Sequence, residues 1–458
     1  MSSVRDKPSE RQYEMTFARP PLILVGASVR SLAQSAQKAG WSVYAADLFG
    51  DHDLLASTVR SERIGDVLGP DRAFSTYPTG LACAAKLFPC GPWCYTGALE
   101  NYPDLIDSIA ANRPLAGNSG STVTRVRDST QLARAIQDAG LLFPQTHTSP
   151  SAVSTDGSFL IKPIASAGGR GIKRWTVQAA TDYALRYSSD LESLSDSPHP
   201  RHVWQQWIEG DSYSAAFACS RGTARLFAVS QQLTGLEWCA AATHAYCGSV
   251  ALPLADVPIQ IQRQLNELGS LLAGRFDLIG LVGVDCVINS KQELVIIEIN
   301  PRPTASMELW ERSTGGSLAT THLRACGFST PPPAAMSEGL RQRAATMPQI
   351  WSKSILFARH DCEITVGLFD RLLRLGQQWA DGDWPPLADL PRPAQVIPAG
   401  APLLTLFARE DSCTAAIETL TARTQLLEEV FGNADGRVNQ PFSLPQPDAF
   451  PLPAKNTA

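Results

Sequence analysis

The chain is 458 residues long, 44% hydrophobic and 18% charged, with a formal net charge of -5. Its length implies about three domains. The slightly acidic balance argues against a generic nucleic-acid binder, and no run approaches the roughly 18 uncharged apolar residues of a membrane-spanning helix; a soluble, cytoplasmic protein is expected.

Residues 1–20 are polar, carry charges of both signs and lack the apolar stretch of a secretory signal, so they read as a flexible leader. The segment PLILVGASVRSLAQSAQKAGWSVYAADLFGD then predicts a strand over Leu22–Val25, a turn at Gly26, a helix to Gly40 and a second strand over Trp41–Ala46. That order implies a parallel sheet with a ligand crevice beyond its strand ends. Ala27 and Ser28 follow Gly26, so GxGxxG is absent and a dinucleotide fingerprint is excluded. Strand and turn are expected over Trp93–Gly97 and a helix over Asp104–Ala111, followed by a helix capped by Ser129 and stopped at Gly140. Strands are predicted at Phe159–Ile164 and Gly171–Val177, then a polar helix and loop over Thr181–Pro200. VWQQWIEGDSYSAAFACS reads as two strands about a tight Gly210 turn. Cys239, His244 and Cys247 lack a convincing fourth ligand and read as structural; the ten cysteines, with no CxxC pair, read as reduced thiols. A helix over Pro258–Phe276 has Ile261, Leu265, Leu268 and Leu272 on one stripe. Strands over Gly280–Ile288 and Glu293–Ile299 follow, and Pro331–Pro333 mark a boundary. KSILFARHDCEI and PAQVIPAGAPLLTLFA are β-like, Cys413–Val430 is an amphipathic helix, and the Pro-rich end from Pro441 reads as frayed.

Three constellations bear chemistry. In FLIKPIASAGGRGIKRW, Lys162 lies in an apolar strand, where an unpaired ammonium is costly and an anion is its simplest partner. Ala167, Gly168, Gly169, Arg170 and Gly171 offer bare backbone that can approach phosphate. A solvated hairpin explains these residues equally well at this point. In VGVDCVINSKQELVIIEINPRPTAS, two strands joined by a short turn place Asp285 beside Glu298, with Asn300 two residues on and on the same face. Two carboxylates and an amide oxygen suit magnesium completed by phosphate and water. Arg302, again two residues on, is placed to neutralise charge on a transferring phosphoryl group. In QQWIEGD, the backbone of Gln206, Trp207 and Ile208 could pair with an adenine edge between apolar walls. Walker and GxSxG motifs are absent.

In that order, these segments resemble the ATP-grasp superfamily over roughly Asn118–Arg324. The resemblance implies a mixed α/β and α+β fold. It comprises a Rossmann-like domain at 21–116, an ATP-grasp core of two α+β subdomains at 117–330, and a small β-rich C-terminal domain with a terminal helix at 331–440 before the 441–458 tail. The C-terminal part is similar to the biotin carboxylase and aminoimidazole ribonucleotide carboxylase branch; the chain as a whole looks most like ATP-grasp proteins associated with methanopterin and methylofuran C1 metabolism. By resemblance, Lys162 contacts ATP phosphates under the Ala167–Gly171 loop. Gln206 to Glu209 bind adenine and ribose, Asp285, Glu298 and Asn300 hold one or two Mg2+ (or Mn2+) ions, and Arg302 stabilises an acyl phosphate. Two departures stand out: Gln205 and Ser212 occupy positions often acidic in the hinge, leaving Glu209 or Asp211 as substitutes, and Arg125 or Arg127 must replace an early lysine. The implied activity is an ATP-dependent carboxylate–amine ligase with small-molecule acid and amine substrates, with homodimers common in the superfamily. The alternatives are a bicarbonate-using carboxylase-type enzyme or a catalytically inactive nucleotide-binding subunit. Glu100 and Asn101 are candidates for specificity.

Overall fold

A computed structural model describes residues 19–64, 79–187, 202–331, 349–380, 382 and 384–434. The expected leader (residues 1–18), much of the Ser-rich loop, most of the proline boundary and the 441–458 tail lie outside the described residues.

PLILVG is apolar throughout because it is an interior strand of a parallel sheet, where both faces are covered. Strands β1 (Pro21–Gly26), β2 (Ser42–Asp47), β3 (Arg60–Arg63) and β4 (Trp93–Tyr95) run in the order β3-β2-β1-β4, all neighbours parallel. Helix α1 (Arg30–Lys38) crosses from β1 to β2 and buries Leu32, Ala33 and Ala36. Helices α2 (His52–Leu55), α3 (Thr79–Lys86) and α4 (Pro103–Ala110) follow, the last opening with proline, whose missing N–H costs nothing in a first turn. The connection out of β1 runs to β2 on one side while β4 pairs on the other, so the switch point of the sheet, where such folds place their crevice, falls at Ser28, Thr96 and Gly97.

Two short helices lead into the middle of the chain. Ser119 caps α5 (Gly120–Arg127) by accepting from Thr122 N. The cap of α6 (Ser129–Asp138) is Asp128, not Ser129: its carboxylate accepts from Thr130 N and Gln131 N, and its extended backbone places Ser129 already inside the first turn.

A four-stranded antiparallel sheet of order β5-β8-β6-β7 contains β5 (Thr146–His147), β6 (Asp156–Pro163), β7 (Lys173–Thr176) and β8 (His202–Gln206). Helix α7 (Val177–Tyr187), which begins four residues before the predicted helical stretch, packs on it around Trp175 and Trp204. The expected hairpin about Gly210 does not form. Strand β8 stays in the small sheet, whereas β9 (Gly210–Ser220) enters a second, eight-stranded sheet, so Trp207–Glu209 bridge two sheets. Gly210, at φ +150°, abuts Ile288; a Cβ there would collide with that residue's carbonyl oxygen, so the bridge must cross at glycine.

The large sheet has the order β13-β12-β9-β10-β11-β14-β18-β16, antiparallel throughout. Its members are β9, β10 (Thr223–Thr234), β11 (Tyr246–Leu252), β12 (Gly280–Asn289), β13 (Leu294–Asn300), β14 (Ile350–Phe357), β16 (Leu387–Ala388) and β18 (Pro402–Glu410). Helix α8 (Ile259–Arg275) lays its predicted stripe, Ile261, Leu265, Leu268 and Leu272, on one face against Phe217 and Val282. Each such side chain contributes about 1.5–3 kcal/mol on burial. Because side chains alternate, Ser214, Ser230 and Asp285 share the other face, which α9 (Met307–Thr314) and α10 (Leu318–Ala325) flank.

The C-terminal segment extends this sheet, and a separate pair, β15 (Cys362–Glu363) with β17 (Val396–Ile397), caps it. It also holds a helix that the sequence reading missed, α11 (Val366–Gln378), opened by Thr365 and burying Leu368, Phe369 and Leu372; α12 (Cys413–Ala434) ends the fold. Cys239 and Cys247 are buried in the same core, with the Cys247 thiol donating to Leu233 O at 3.3 Å.

Candidate active site

The site begins with one register. Across β12 and β13, Asp285 pairs with Glu298 and Gly283 with Asn300, as the short turn predicted. A bulge directly after Asp285 interrupts the ladder there. Asn300 Nδ2 donates to Asp285 Oδ2 at 3.0 Å and Gln232 Nε2 donates to Asp285 Oδ1 at 2.7 Å. Burial, reinforced by the neighbouring Glu298 charge, pushes the Asp285 carboxyl up to about 6 despite those two donors. Adjoining carboxylates, one of them raised in this way, are short of positive charge, and the oxygen-only donor set of Asp285, Glu298 and the Asn300 amide fits a hard divalent cation. Gln232, which sequence reasoning missed, reaches this face from β10 by the same alternation.

Arg302 follows at once. Its Nε donates to Glu100 Oε1 at 2.7 Å, and its remaining nitrogens reach Asn300 Oδ1 and Pro303 O. The ion pair is nearly sealed, with side chains 12% and 3% exposed. Glu100, a residue of the N-terminal sheet's crevice, therefore orients the arginine, and its Oε2 has no partner among the described residues.

The small sheet supplies the opposite wall. Lys162 Nζ donates to Gln205 Oε1 at 3.0 Å and lies 3.8 Å from Glu298, so its neutralising anion comes from the facing sheet. The buried Gln205 fills the hinge position expected to be acidic and is held further by Thr146 and Ile297 O. The glycine segment folds down onto the connector between β10 and β11: Tyr246 N donates to Gly168 O at 3.1 Å, and Gly169 abuts the His244 carbonyl. Turns from Arg170 N to Ala167 O and from Ile172 N to Gly169 O shape the loop, with Gly168, Gly169 and Gly171 all at positive φ. Of the two arginines offered as replacements for an early lysine, Arg127 lies beside this loop, donating to Ile164 O and Asn101 Oδ1, whereas Arg125 turns toward Phe276 O and Asp277.

The hinge lies between the walls. Gln206 N and Trp207 N are engaged by Gln145 O and Ser158 O, while the Trp207 ring has two neighbours. The Arg174 guanidinium lies 3.9 Å from its centroid and the His244 ring 5.7 Å away. Burial, then Arg174, lowers the His244 pKa, which keeps that ring neutral beside the cation. Ile208 and Glu209 complete the bridge, and Asp211 follows on β9 with its pKa raised by burial. A half-open cavity of about 310 Å³ continues from Ser214, opposite Asp285, beneath α9.

Two sheets facing each other, one carrying a lysine and a glycine loop and the other paired carboxylates, define a two-lobed α+β protein. Residues 126–306 match the family described as the ATP-grasp domain, so this chain carries an ATP-grasp domain. It is 23% identical over 230 residues to the carbamoyl phosphate synthase large chain of Pseudomonas syringae pv. tomato; the match spans 48% of this chain but only 20% of that one. In fold it resembles the biotin carboxylase domain of Hydrogenobacter thermophilus 2-oxoglutarate carboxylase, a dimer solved with MgADP and bicarbonate (TM-score 0.63, 11% identity, 91% of this chain and 95% of that one). It also resembles the L-amino acid ligase of Bacillus licheniformis (TM-score 0.56, 13% identity, 90% and 98%). Among the described residues no helix is long and apolar enough to cross a membrane.

Proposed function

We propose that the protein is an ATP-dependent carboxylate–amine ligase working through an acyl phosphate. The observation that carries this reading is the meeting of Lys162 from one sheet with Glu298, Asp285 and Asn300 from the other, 3.8 Å apart at the closest charged atoms. In the reaction, a substrate carboxylate oxygen attacks the γ-phosphorus of ATP, the bond to the β–γ bridging oxygen breaks, and ADP leaves with that oxygen. The neutral amine nitrogen then attacks the acyl carbon, phosphate departs with the electrons of the acyl C–O bond, and the nitrogen gives up one proton to complete the amide.

Each residue acts by position and charge rather than as a nucleophile. Lys162 and the Ala167–Gly171 loop hold phosphate oxygens, and the loop, seated on the His244 connector, excludes water from the acyl phosphate. The Gln206–Glu209 bridge borders the adenine and ribose. Asp285, Glu298 and Asn300 would hold Mg2+, which supplies Lewis-acid neutralisation of phosphate charge when bound. Arg302, oriented by Glu100, neutralises the developing acyl phosphate. The B. licheniformis amino acid ligase likeness supports the amine as acceptor. The resemblance to C1-pathway proteins supports an acid used in building a methylofuran- or methanopterin-type carrier. Division of the chain near residue 117, with a segment after 331 that shares the core's large sheet, belongs to the same proposal.

The test is ADP release from MgATP across a panel of acids and amines, with hydroxylamine trapping of the acyl phosphate. Glu298→Gln should lower ADP release at least a hundredfold while leaving the circular dichroism spectrum unchanged; full activity in that variant sinks the assignment. Likeness to a bicarbonate-bound carboxylase domain favours one rival, in which bicarbonate is the phosphorylated acid, and ADP release that requires bicarbonate would select it.

A further inference from the structure

A second constellation of charge lies beyond the strand ends of the N-terminal sheet, apart from the carboxylate pair described above. Arg30, 2% exposed, donates to both oxygens of Glu308 at 2.6 and 3.0 Å and to both oxygens of Asp389 at 2.9 and 3.1 Å. Arg312 and Lys353 converge on the same Glu308, at 3.2 and 3.5 Å, and Asp53 lies 3.6 Å from Arg30. Asp47 and Asp51, 0% and 6% exposed, complete the group. Asp47 is spent on the backbone N–H groups of Val29, Phe49 and Gly50. Asp51 is not: its Oδ2 is buried without a partner among the described residues.

The cluster therefore sets five carboxylates, Asp47, Asp51, Asp53, Glu308 and Asp389, against three cations, Arg30, Arg312 and Lys353. Buried charge is costly unless paired, and among these eight described groups the carboxylates outnumber the cations by two. The cluster reaches solvent at Asp389 and, less, at Asp53, whose side chain is 16% exposed. Asp389, with its side chain 25% exposed, and Ser28, whose Oγ donates to Asp389 at 3.4 Å, form the lip of the crevice. Ser28 follows Ala27, whose carbonyl oxygen abuts Gly97, and Gly97 lies against the Arg302 guanidinium. The crevice thus runs from the phosphoryl-transfer arginine at one end to an acidic lip at the other.

We propose that the lip formed by Ser28 and Asp389, backed by Asp51, binds the ammonium group of an organic substrate. The inference rests on the ligase reading and names the class of one substrate: a molecule carrying a primary or secondary amine as its cation. The ammonium takes the place of the long Ser28 contact on Asp389 Oδ1, beside Arg30, and gives a second hydrogen to the Ser28 hydroxyl; Asp389 Oδ2 stays with Arg30 and Thr405, and the unspent Asp51 carboxylate supplies the balancing field from behind. A substrate held there has its remaining length directed along the crevice toward Arg302. Burial holds Asp47 and Asp51 above the usual carboxylate range in the free protein, and a bound cation relieves the strain that this reflects.

The test uses the full chain with MgADP present, and phenethylamine as the probe against its neutral isostere 2-phenylethanol, measured by calorimetry at constant ionic strength. Saturable binding of the amine, absent for the alcohol, is expected. Asp51→Asn should weaken it at least tenfold with an unchanged melting temperature and MgADP affinity, and Asp51→Glu should recover most of the loss. Ser28→Lys, which tethers an ammonium at the lip, should abolish probe binding even if Asp51→Asn melts early. Equal affinity for the alcohol, no saturable amine binding to the natural protein, displacement by equimolar potassium, or unchanged affinity in Ser28→Lys overturns the proposal. The readout is binding, so a protein that holds the amine yet never releases ADP keeps this site and loses the ligase reading. Turnover with an amine whose binding ignores Asp51 and Ser28 does the reverse.

Discussion

His322 shows how much one side chain can tie together. Its ring is buried on α10; Nδ1 accepts from Leu281 N at 2.9 Å, so Nε2 carries the hydrogen and donates to Ala116 O, also at 2.9 Å. One imidazole thus joins the large sheet to Ala116, just beyond the N-terminal sheet, and only while neutral. Burial, opposed weakly by the Ala116 bond, lowers its pKa to about 4. Against an unfolded value of roughly 6.5, the folded state binds fewer protons between those limits, so this stability is fully present above pH 6.5 and is lost as pH falls toward 4. The gap amounts to about 3 kcal/mol. Urea unfolding at several pH values should show that loss in the natural protein. His322→Asn, whose amide oxygen can replace Nδ1 as acceptor, should be less stable at pH 7 and lose about one proton's worth of slope between pH 6.5 and 4.

At the scale of elements, the glycine loop is fixed by its seat on the neighbouring connector. Gly169 has φ +78° and no room for a Cβ against the His244 carbonyl, so Gly169→Ala must lift the loop off the connector between β10 and β11. The loop contributes little to the core, so the melting temperature should hold within about 2 °C, whereas ADP release should fall at least tenfold and KM for ATP should rise; unchanged kinetics would show that the seating is incidental. The loop, the β12–β13 pair and the α8 stripe were legible in the sequence because each is local: a glycine run, a short turn with its alternation, a 3.6-residue period. What escaped reading depends on partners far along the chain. QQWIEGD carries two strands about a glycine, which is also what a hairpin looks like; only the sheet that each strand joins tells them apart. In α11, Leu368, Phe369 and Leu372 do follow a helical period, but the β-like segments on either side masked it. The Arg30–Glu308–Asp389 contacts join residues 278 and 359 positions apart, and no spacing rule reaches that far.

For the molecule as a whole, the decisive fact is that the sheet bearing Asp285 does not stop at residue 331. Strand β11 pairs with β14 through Gly248–Val250 and Ser352–Ser354, and β14 pairs with β18 along eight residues, so the C-terminal segment supplies three strands of one continuous sheet. The core beneath mixes both sides of the boundary: Leu233, Trp238 and Val250 pack with Leu356, Leu368 and Leu406. Lys353 and Asp389 reach back from that segment to Glu308 and Arg30. A chain ending at residue 331 would bare the edge of β11, expose that apolar face and leave Arg30 with fewer anions. An open edge invites aggregation, and stripping partners from a buried ion pair costs about 3–5 kcal/mol. We therefore expect the 1–331 fragment to be aggregated or unfolded. In the full chain, far-ultraviolet circular dichroism and tryptophan fluorescence should report one coincident urea transition, because the tryptophans Trp93, Trp204 and Trp351 lie in three different sheets that would otherwise melt apart. A monomeric 1–331 fragment that binds MgADP would show the opposite, that the grasping lobes stand alone and the C-terminal strands serve only the crevice.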